Sequence, residues 1–171
     1  MAGCSRTELV PVNLSSETEI DELKSMYFDY IGELLPFEQE GRSAISDEQS
    51  WLLQFAELCS HDWVREDGRN AGFVFYGPVE LEQRYWEIVQ FYVIPSCRRT
   101  GVGSRALDVL LQKFRKSDWK ADRLMYLVLR RNPANAFWDR ALSHLPPVRE
   151  PAVDAEDPED VWYFRRGILS S

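Results

Sequence analysis

Residues 86–114 read WEIVQFYVIPSCRRTGVGSRALDVLLQKF. The stretch falls into three parts. Arg84 to Ile94 (RYWEIVQFYVI) is the longest strand pattern in the chain, and Pro95 ends it. Arg98-Arg99-Thr100-Gly101-Val102-Gly103-Ser104 is a basic glycine loop. Ala106, Leu107, Val109, Leu110, Leu111 and Phe114 then mark one helix, ending near Lys116-Ser117. Glycine lets the backbone approach a ligand closely with its N–H groups outward. The helix start behind it adds partial positive charge, and two arginines add full charges with forked donors. A pyrophosphate or similar polyanion would fit such a loop; a tight turn with solvated arginines is the plainer alternative.

Upstream, Glu8 to Val12 (ELVPV) reads as a short strand and Ser15-Ser16-Glu17 as a helix start. Ile20, Leu23, Met26, Tyr27, Tyr30, Ile31 and Leu34 give that helix one apolar face, and it ends at Pro36. Tyr27 and Tyr30 pack into the core or, with Glu33 and Phe37, border a substrate cleft. A polar loop at 38–47 leads to a second helix, Asp47 to about Leu58. HDWVRE, Asp67-Gly68 and NAGFVFYG read as a hairpin, with Pro78 to Gln83 as a loop. Downstream, RLMYLVL (Arg123 to Leu129) reads as a strand buried on both faces, and PANAFWDRAL as a helix capped by Asn132 with Pro133 in its first position. A weak strand near Val148 to Val153, an acidic loop and a closing strand, Val161 to Ile168, complete the order β-α-α-β-β-β-α-β-α-β-β. That order predicts an α/β domain spanning residues 1–171.

The chain has 171 residues, 44% apolar and 28% charged, with a formal charge of −8. These values suit one compact domain. The acidic balance disfavours nucleic acid and suits, weakly, a cationic acceptor. Three cysteines at long spacings, Cys4, Cys59 and Cys97, argue against a disulfide framework or zinc cage. His61 and His144 have no metal-ligand spacing, so no metal is expected. MAGCSRTELV lacks an apolar core and no run of about 18 apolar residues occurs. Neither a signal nor a membrane span is expected, and a cytoplasmic location follows from that reading.

GVGSRA satisfies the dinucleotide pattern G-x-G-x-x-[G/A]. However, PSCRRT separates the strand from the glycines, no acidic residue for a ribose ends the next strand, and little chain remains for a second half. A dinucleotide oxidoreductase is therefore the weaker reading.

Arg98-x-x-Gly101-x-Gly103 resembles the [Q/R]-x-x-G-x-[G/A] loop of the GCN5-related N-acetyltransferase (GNAT) superfamily. The strand before it, the helix after it, RLMYLVL and NPANAFWDRAL fall in the family's order, as do the N-terminal helices, the hairpin and the closing strand. Nearly the whole chain is covered, and it is most similar to small bacterial predicted acetyltransferases with an FW pair in that helix. The resemblance implies a mixed, mostly antiparallel central sheet of about seven strands flanked by four helices. It also implies acetyl-coenzyme A as cofactor and an acetyl acceptor bearing a primary amine, either a small molecule or a lysine or N-terminal amine of a protein. The state would be a monomer or homodimer, with no nucleic acid or membrane partner.

Residue by residue, the resemblance implies that Phe91, Tyr92 and Val93 pair with the pantetheine arm. The amides from Arg99 through Thr100, Gly101, Val102 and Gly103 to Ser104 would hold the pyrophosphate, with Arg98 and Arg99 nearby. Asn132 or Asn135 and Phe137-Trp138 would flank the pantetheine or thiol; one of the two aromatics belongs to the core, because adjacent helical residues cannot both bury on one side. Glu87 is the candidate base. It sits in mid-strand between Trp86 and Ile88, where burial raises a carboxyl pKa, and eleven residues before Arg98, as in histone-acetylating members. A salt bridge on the solvent side is its alternative role. Val93 N–H is the implied oxyanion donor. Trp138 stands where many members have an acid tyrosine, and an indole is no practical proton source. Tyr126 or water could substitute, or the chain could be a coenzyme A-binding module without turnover.

Overall fold

The computed structural model describes residues 6–37, 59–80, 83–129, 131–146 and 161–167. The elements are β1 (Thr7–Pro11), α1 (Glu17–Leu34), β2 (Ser60–Glu66), β3 (Arg69–Glu80), β4 (Arg84–Val93), α2 (Val102–Lys116), β5 (Arg123–Leu129), α3 (Asn135–Ala141) and β6 (Val161–Gly167). Six strands form one sheet in sequence order, β1 to β6. Every neighbouring pair is antiparallel except β4 and β5, which are parallel and joined through α2. This is the mixed, mostly antiparallel α/β architecture expected. The expected helix at 47–58 and weak strand at 148–153 lie outside the described residues. Among the described residues there are six strands and three α-helices, where about seven and four were expected for the whole chain.

The period-two alternation of the strands divides the core between the two faces of the sheet. Trp63, Phe73, Phe75 and Tyr92 face α1 and pack with Leu23, Tyr27 and Ile31, which recur every four residues. Val64, Val74, Tyr76, Trp86 and Ile88 face the other way, onto Leu107, Leu110, Leu111 and Phe114 of α2. Ser16 caps α1 by accepting the Glu19 N–H at 3.4 Å. Glu19 in turn accepts the Trp63 indole N–H at 2.8 Å, which fixes the helix on the sheet. Lys113, Arg115 and Lys116 occupy the last turn of α2, where cations complement the helix dipole.

Two boundaries differ from the sequence reading. Strand β3 runs through Pro78 to Glu80, where a loop was expected. Its pairing with β2 ends at Ser60↔Tyr76, while β4 continues alongside to Glu80↔Arg84. Pro78 thus lies where β3 is paired on one side only among the described residues, and its missing N–H costs no ladder bond there. The last helix is regular only from Asn135. Asn132 still caps the segment, because its Oδ1 accepts the Ala134 N–H at 2.8 Å, but the first turn is tightened by i to i+3 bonds.

Candidate active site at the parting of two strands

Strands β4 and β5 pair only from Tyr85↔Arg123 to Ile88↔Tyr126. Beyond that rung both strands continue, β4 to Val93 and β5 to Leu129, without pairing each other. A bulge at Phe75/Tyr76 in the β3–β4 ladder leaves Val89 unpaired just past the last shared rung. Bulges bend a strand and increase its twist, which accounts for the divergence of β4.

The opened edge of β4 presents backbone donors. Ile94 N–H bonds to Ala71 C=O at 2.9 Å, on the β3 side. Amides alternate along a strand, so Val93 and Phe91 direct theirs away from β3, into the gap. The close fit of β3 against this end depends on Gly72, where a Cβ would lie 2.0 Å from the Tyr92 carbonyl oxygen. Nothing in NAGFVFYG marks that glycine beyond its place inside a strand pattern.

The glycine loop closes the same end. Gly101 has φ 88° and Arg99 φ 63°, both left-handed. For arginine that is an uncommon conformation of the kind that collects at functional loops. Gly101 is the N-cap of α2 and supplies no side-chain cap, and the first turn holds no acidic residue. Arg105 N–H is the first to bond back, to Gly101 C=O at 3.0 Å. The amides of Val102, Gly103 and Ser104 are therefore the orphan donors of a helix start, with the positive end of the dipole behind them. These residues fit a phosphate-bearing group. Gly103 also admits Phe137, whose ring lies 3.1 Å from where a Cβ would be.

The two loop arginines differ from each other. Arg99 is exposed. Arg98 turns to α1: its Nη2 and Nη1 lie 2.9 and 2.8 Å from the two Glu33 carboxylate oxygens. Its Nε donates to Val93 C=O at 2.7 Å. Arg105, to which the sequence reading gave no role, braces the loop from below. It donates to Thr100 C=O at 3.1 Å, Thr7 Oγ1 at 2.8 Å and Glu66 at 2.6 Å.

The aromatic pair of α3 divides as expected. Trp138 is buried and stacks on Tyr126, centroids 4.7 Å apart. Phe137 is half-buried and stacks on Phe91 at 5.9 Å, on the gap side. Tyr126 is 1% exposed, beneath Trp138. Asn135 Nδ2 donates to Asn132 C=O at 2.9 Å, so both asparagine side chains organise the turn into α3.

Glu87 sits one residue before the last shared rung, with Gly77 and Met125 as its neighbours across the sheet. Burial raises its carboxyl pKa above the ordinary 4.5. Cys59 is near enough to sense it: burial first, then the Glu87 charge, pushes the thiol up to about 11. The thiol stays protonated at neutral pH and is a poor nucleophile. No spacing rule in the sequence pairs Cys59 with Glu87, because Cys59 precedes β2, and β3 lies between β2 and β4. Tyr27 is core, while Tyr30 is half-buried and packs edge-on to Phe73 at 5.8 Å and on Tyr92 at 5.6 Å. Glu33 is exposed on the same side of α1, and Phe37 is half-buried in the 3-10 turn Leu35–Phe37 that follows the helix. No group of three or more metal-ligating side chains occurs among the described residues, and no described helix is long and apolar enough to cross a membrane.

The two strands thus part beside a glycine-started helix that has no side-chain cap. The family model for acetyltransferases (GNAT) matches residues 20–143, more than half of the sequence, and the chain belongs to that family. Solved structures similar to it include an acetyltransferase of the GNAT family from Staphylococcus aureus Mu50, at 11% identity and TM-score 0.66, covering 96% of this chain and 100% of that one. RimL, a ribosomal L7/L12 alpha-N-protein acetyltransferase in complex with coenzyme A, matches at 15% identity and TM-score 0.65, covering 96% of each chain. The ribosomal-protein-S18-alanine N-acetyltransferase from Escherichia coli matches at 16% identity and TM-score 0.58, covering 96% of this chain and 94% of that one. At these identities the likeness is one of fold. No curated protein sequence matches the chain.

Proposed function

We propose that this protein transfers an acetyl group from acetyl-coenzyme A to a primary amine, on a small molecule or on a protein. The observation that carries the reading is the parting of β4 from β5 after Ile88↔Tyr126, with the Phe91 and Val93 amides and the open start of α2 around it. Coenzyme A in the RimL complex supports the cofactor, and the acceptors named for RimL and for the S18-alanine enzyme support an amine.

Acetyl-coenzyme A supplies the acyl group as a thioester. The amides of Val102, Gly103 and Ser104 hold the pyrophosphate, with Arg99 adding charge. Phe91 to Val93 align the pantetheine arm as an added strand, and Phe137 packs beside it. Glu87 takes the proton from the acceptor ammonium, and burial, by raising its pKa, makes it a stronger base for that task. A gap-facing amide stabilises the charge developing on the carbonyl oxygen. Val93 is the donor the family implies. Phe91 shares the same edge and lies nearer Glu87: four residues of strand span about 13 Å and six about 20 Å. The nearer amide is the better partner for a base acting on the same centre. Trp138 cannot protonate the leaving thiolate, and water fills that role.

The test is thiol release from acetyl-coenzyme A with a panel of amines, for wild type, Glu87→Gln and Gly101→Asp. Turnover lost in Glu87→Gln with binding kept, and binding lost in Gly101→Asp, supports the reading. Tight coenzyme A binding with no turnover on any amine makes the protein a binding module, the reading that Trp138 in place of a tyrosine would favour.

A further inference from the structure

The first arginine of the loop invites an assignment as a phosphate ligand, yet all three of its donor nitrogens are already engaged within the chain. Its forked end holds both oxygens of Glu33 at 2.8 and 2.9 Å, and its Nε holds the Val93 carbonyl at 2.7 Å. The guanidinium carbon lies over the Tyr92 ring, 5.3 Å from its centroid. Tyr92 itself donates its hydroxyl to Glu33 Oε1 at 3.2 Å. One carboxylate from the last turn of α1 thus gathers a strand residue and a loop residue.

The contact sits at a mechanical junction. The peptide between Val93 and Ile94 is held at both ends, its C=O by Arg98 and its N–H by Ala71 C=O. That peptide is the last one of β4, directly after the Val93 amide that faces the gap. Its neighbour β5 gives it no support, because pairing stopped at Ile88. In place of a strand partner, β4 has a side-chain brace.

We propose that Glu33 is a positioning residue for the acetyl-coenzyme A site, holding Arg98 as a strut that fixes the Phe91–Val93 edge and ties α1 to the cofactor loop. The inference rests on the acetyl-coenzyme A reading above and deepens it. Arg98 works through Val93 and not through the diphosphate. A bidentate fork plus a third donor is geometry that lysine cannot reproduce, whereas lysine would serve well as a point charge for phosphate. The strut also puts the α1 wall, with Tyr30 on Tyr92, in register with the cofactor edge.

The experiment titrates coenzyme A into the purified full chain as wild type, Glu33→Gln, Arg98→Lys and the double variant, with melting temperatures measured alongside. Both single variants are expected to weaken binding about fivefold, and the double variant no further, as for two members of one unit. In turnover assays the same variants raise KM for acetyl-coenzyme A more than they lower kcat. A merely structural ion pair would shift the melting temperature and leave the dissociation constant of the folded protein unchanged; that result overturns the proposal. So does the opposite sign: if Arg98 is a phosphate ligand, Glu33→Gln frees it and tightens binding, while Arg98→Lys stays near wild type. Wild type that binds no coenzyme A overturns the cofactor reading itself, an outcome recognisable before any variant is compared.

Discussion

The seam between β4 and β5 has a closed half and an open half, built on the same two strands. In the closed half, Tyr85 to Ile88 pair with Arg123 to Tyr126, and Trp86 lies flat on Phe114, centroids 4.4 Å apart and planes 4° apart. In the open half, Phe91 and Val93 keep β3 on one side but have no described strand on the other, where Phe137, the glycine loop and the Arg98 side chain lie close by. Both halves are rich in aromatic and branched residues, so hydrophobicity alone does not separate them. The difference is in who satisfies the backbone. The closed half bonds to itself and contributes stability. The open half leaves the gap-facing Phe91 and Val93 amides without a strand partner among the described residues, next to two close-packed glycines and the Glu33–Arg98 salt bridge.

Glu87 stands at the border of the two halves, and changing it should have the largest effect on turnover. Glu87→Gln is expected to lower kcat/KM by about 10²- to 10⁴-fold while coenzyme A binding persists. In wild type the rate rises with pH as the carboxyl, held above 4.5 by burial, loses its proton. The variant loses that dependence. Stability moves the other way. Between the ordinary value and the raised one, the folded state binds a proton that the unfolded chain has released, so stability falls as pH rises through that window. Glu87→Gln is then expected to melt higher than wild type above the window. A variant with full activity would move the border of the site away from Glu87.

Phe114→Ala tests the closed half. Removing a 3% exposed ring from the stack on Trp86 is expected to cost about 3–4 kcal/mol in denaturant unfolding. The dissociation constant for coenzyme A, measured on the folded fraction, should stay within about twofold. A large loss of affinity at low temperature would show that the two halves are not separable.

Gly72→Ala should be intermediate and should act on both properties. The new Cβ meets the Tyr92 carbonyl oxygen, a backbone atom that no side-chain motion can clear. A cost of about 2–3 kcal/mol is expected from forcing β3 and β4 apart, with weaker coenzyme A binding because Val93 is the residue opposite. Stability lost with affinity kept would mean that the open edge tolerates displacement.

Most of the fold was legible because periodicity and punctuation agree along the chain. Asp67-Gly68 turns the hairpin with φ 50° and 79°, as that dipeptide predicts, and Pro95 stops β4 directly after Ile94. The loop was legible for the same local reason: glycine, dipole and strand are contiguous in sequence. What could not be read depends on partners far apart in the chain. Glu33 and Arg98 are sixty-five residues apart, and nothing in either neighbourhood indicates that one takes the other. Cys59 and Glu87 meet only through sheet order. Gly72 matters because of a backbone opposite it, and Pro78 reads as a breaker until one knows that β2 stops pairing with β3 at Tyr76. The assignment of Arg98 to a phosphate came from motif position; its actual contacts came from the tertiary arrangement.

The smallest effect is expected at Trp138, where the open half meets the core. Its indole stacks on Tyr126 and meets Phe91 edge-on at 5.6 Å, so the ring supports the floor of the gap. If it only supports, Trp138→Phe keeps the aromatic contact, costs about 1 kcal/mol of stability and leaves kcat within about threefold. Trp138→Tyr is the sharper variant, because it places a phenol where many members of the family carry an acid. A kcat unchanged in Trp138→Tyr says that departure of the thiolate does not limit the rate and that water suffices. A tenfold gain, with the basic limb of the pH profile moving, says that the reaction lacks a proton donor which the open half has room to hold. Either outcome separates the two duties of the seam: the closed half and Trp138 are judged by melting, the open amides and Glu87 by turnover.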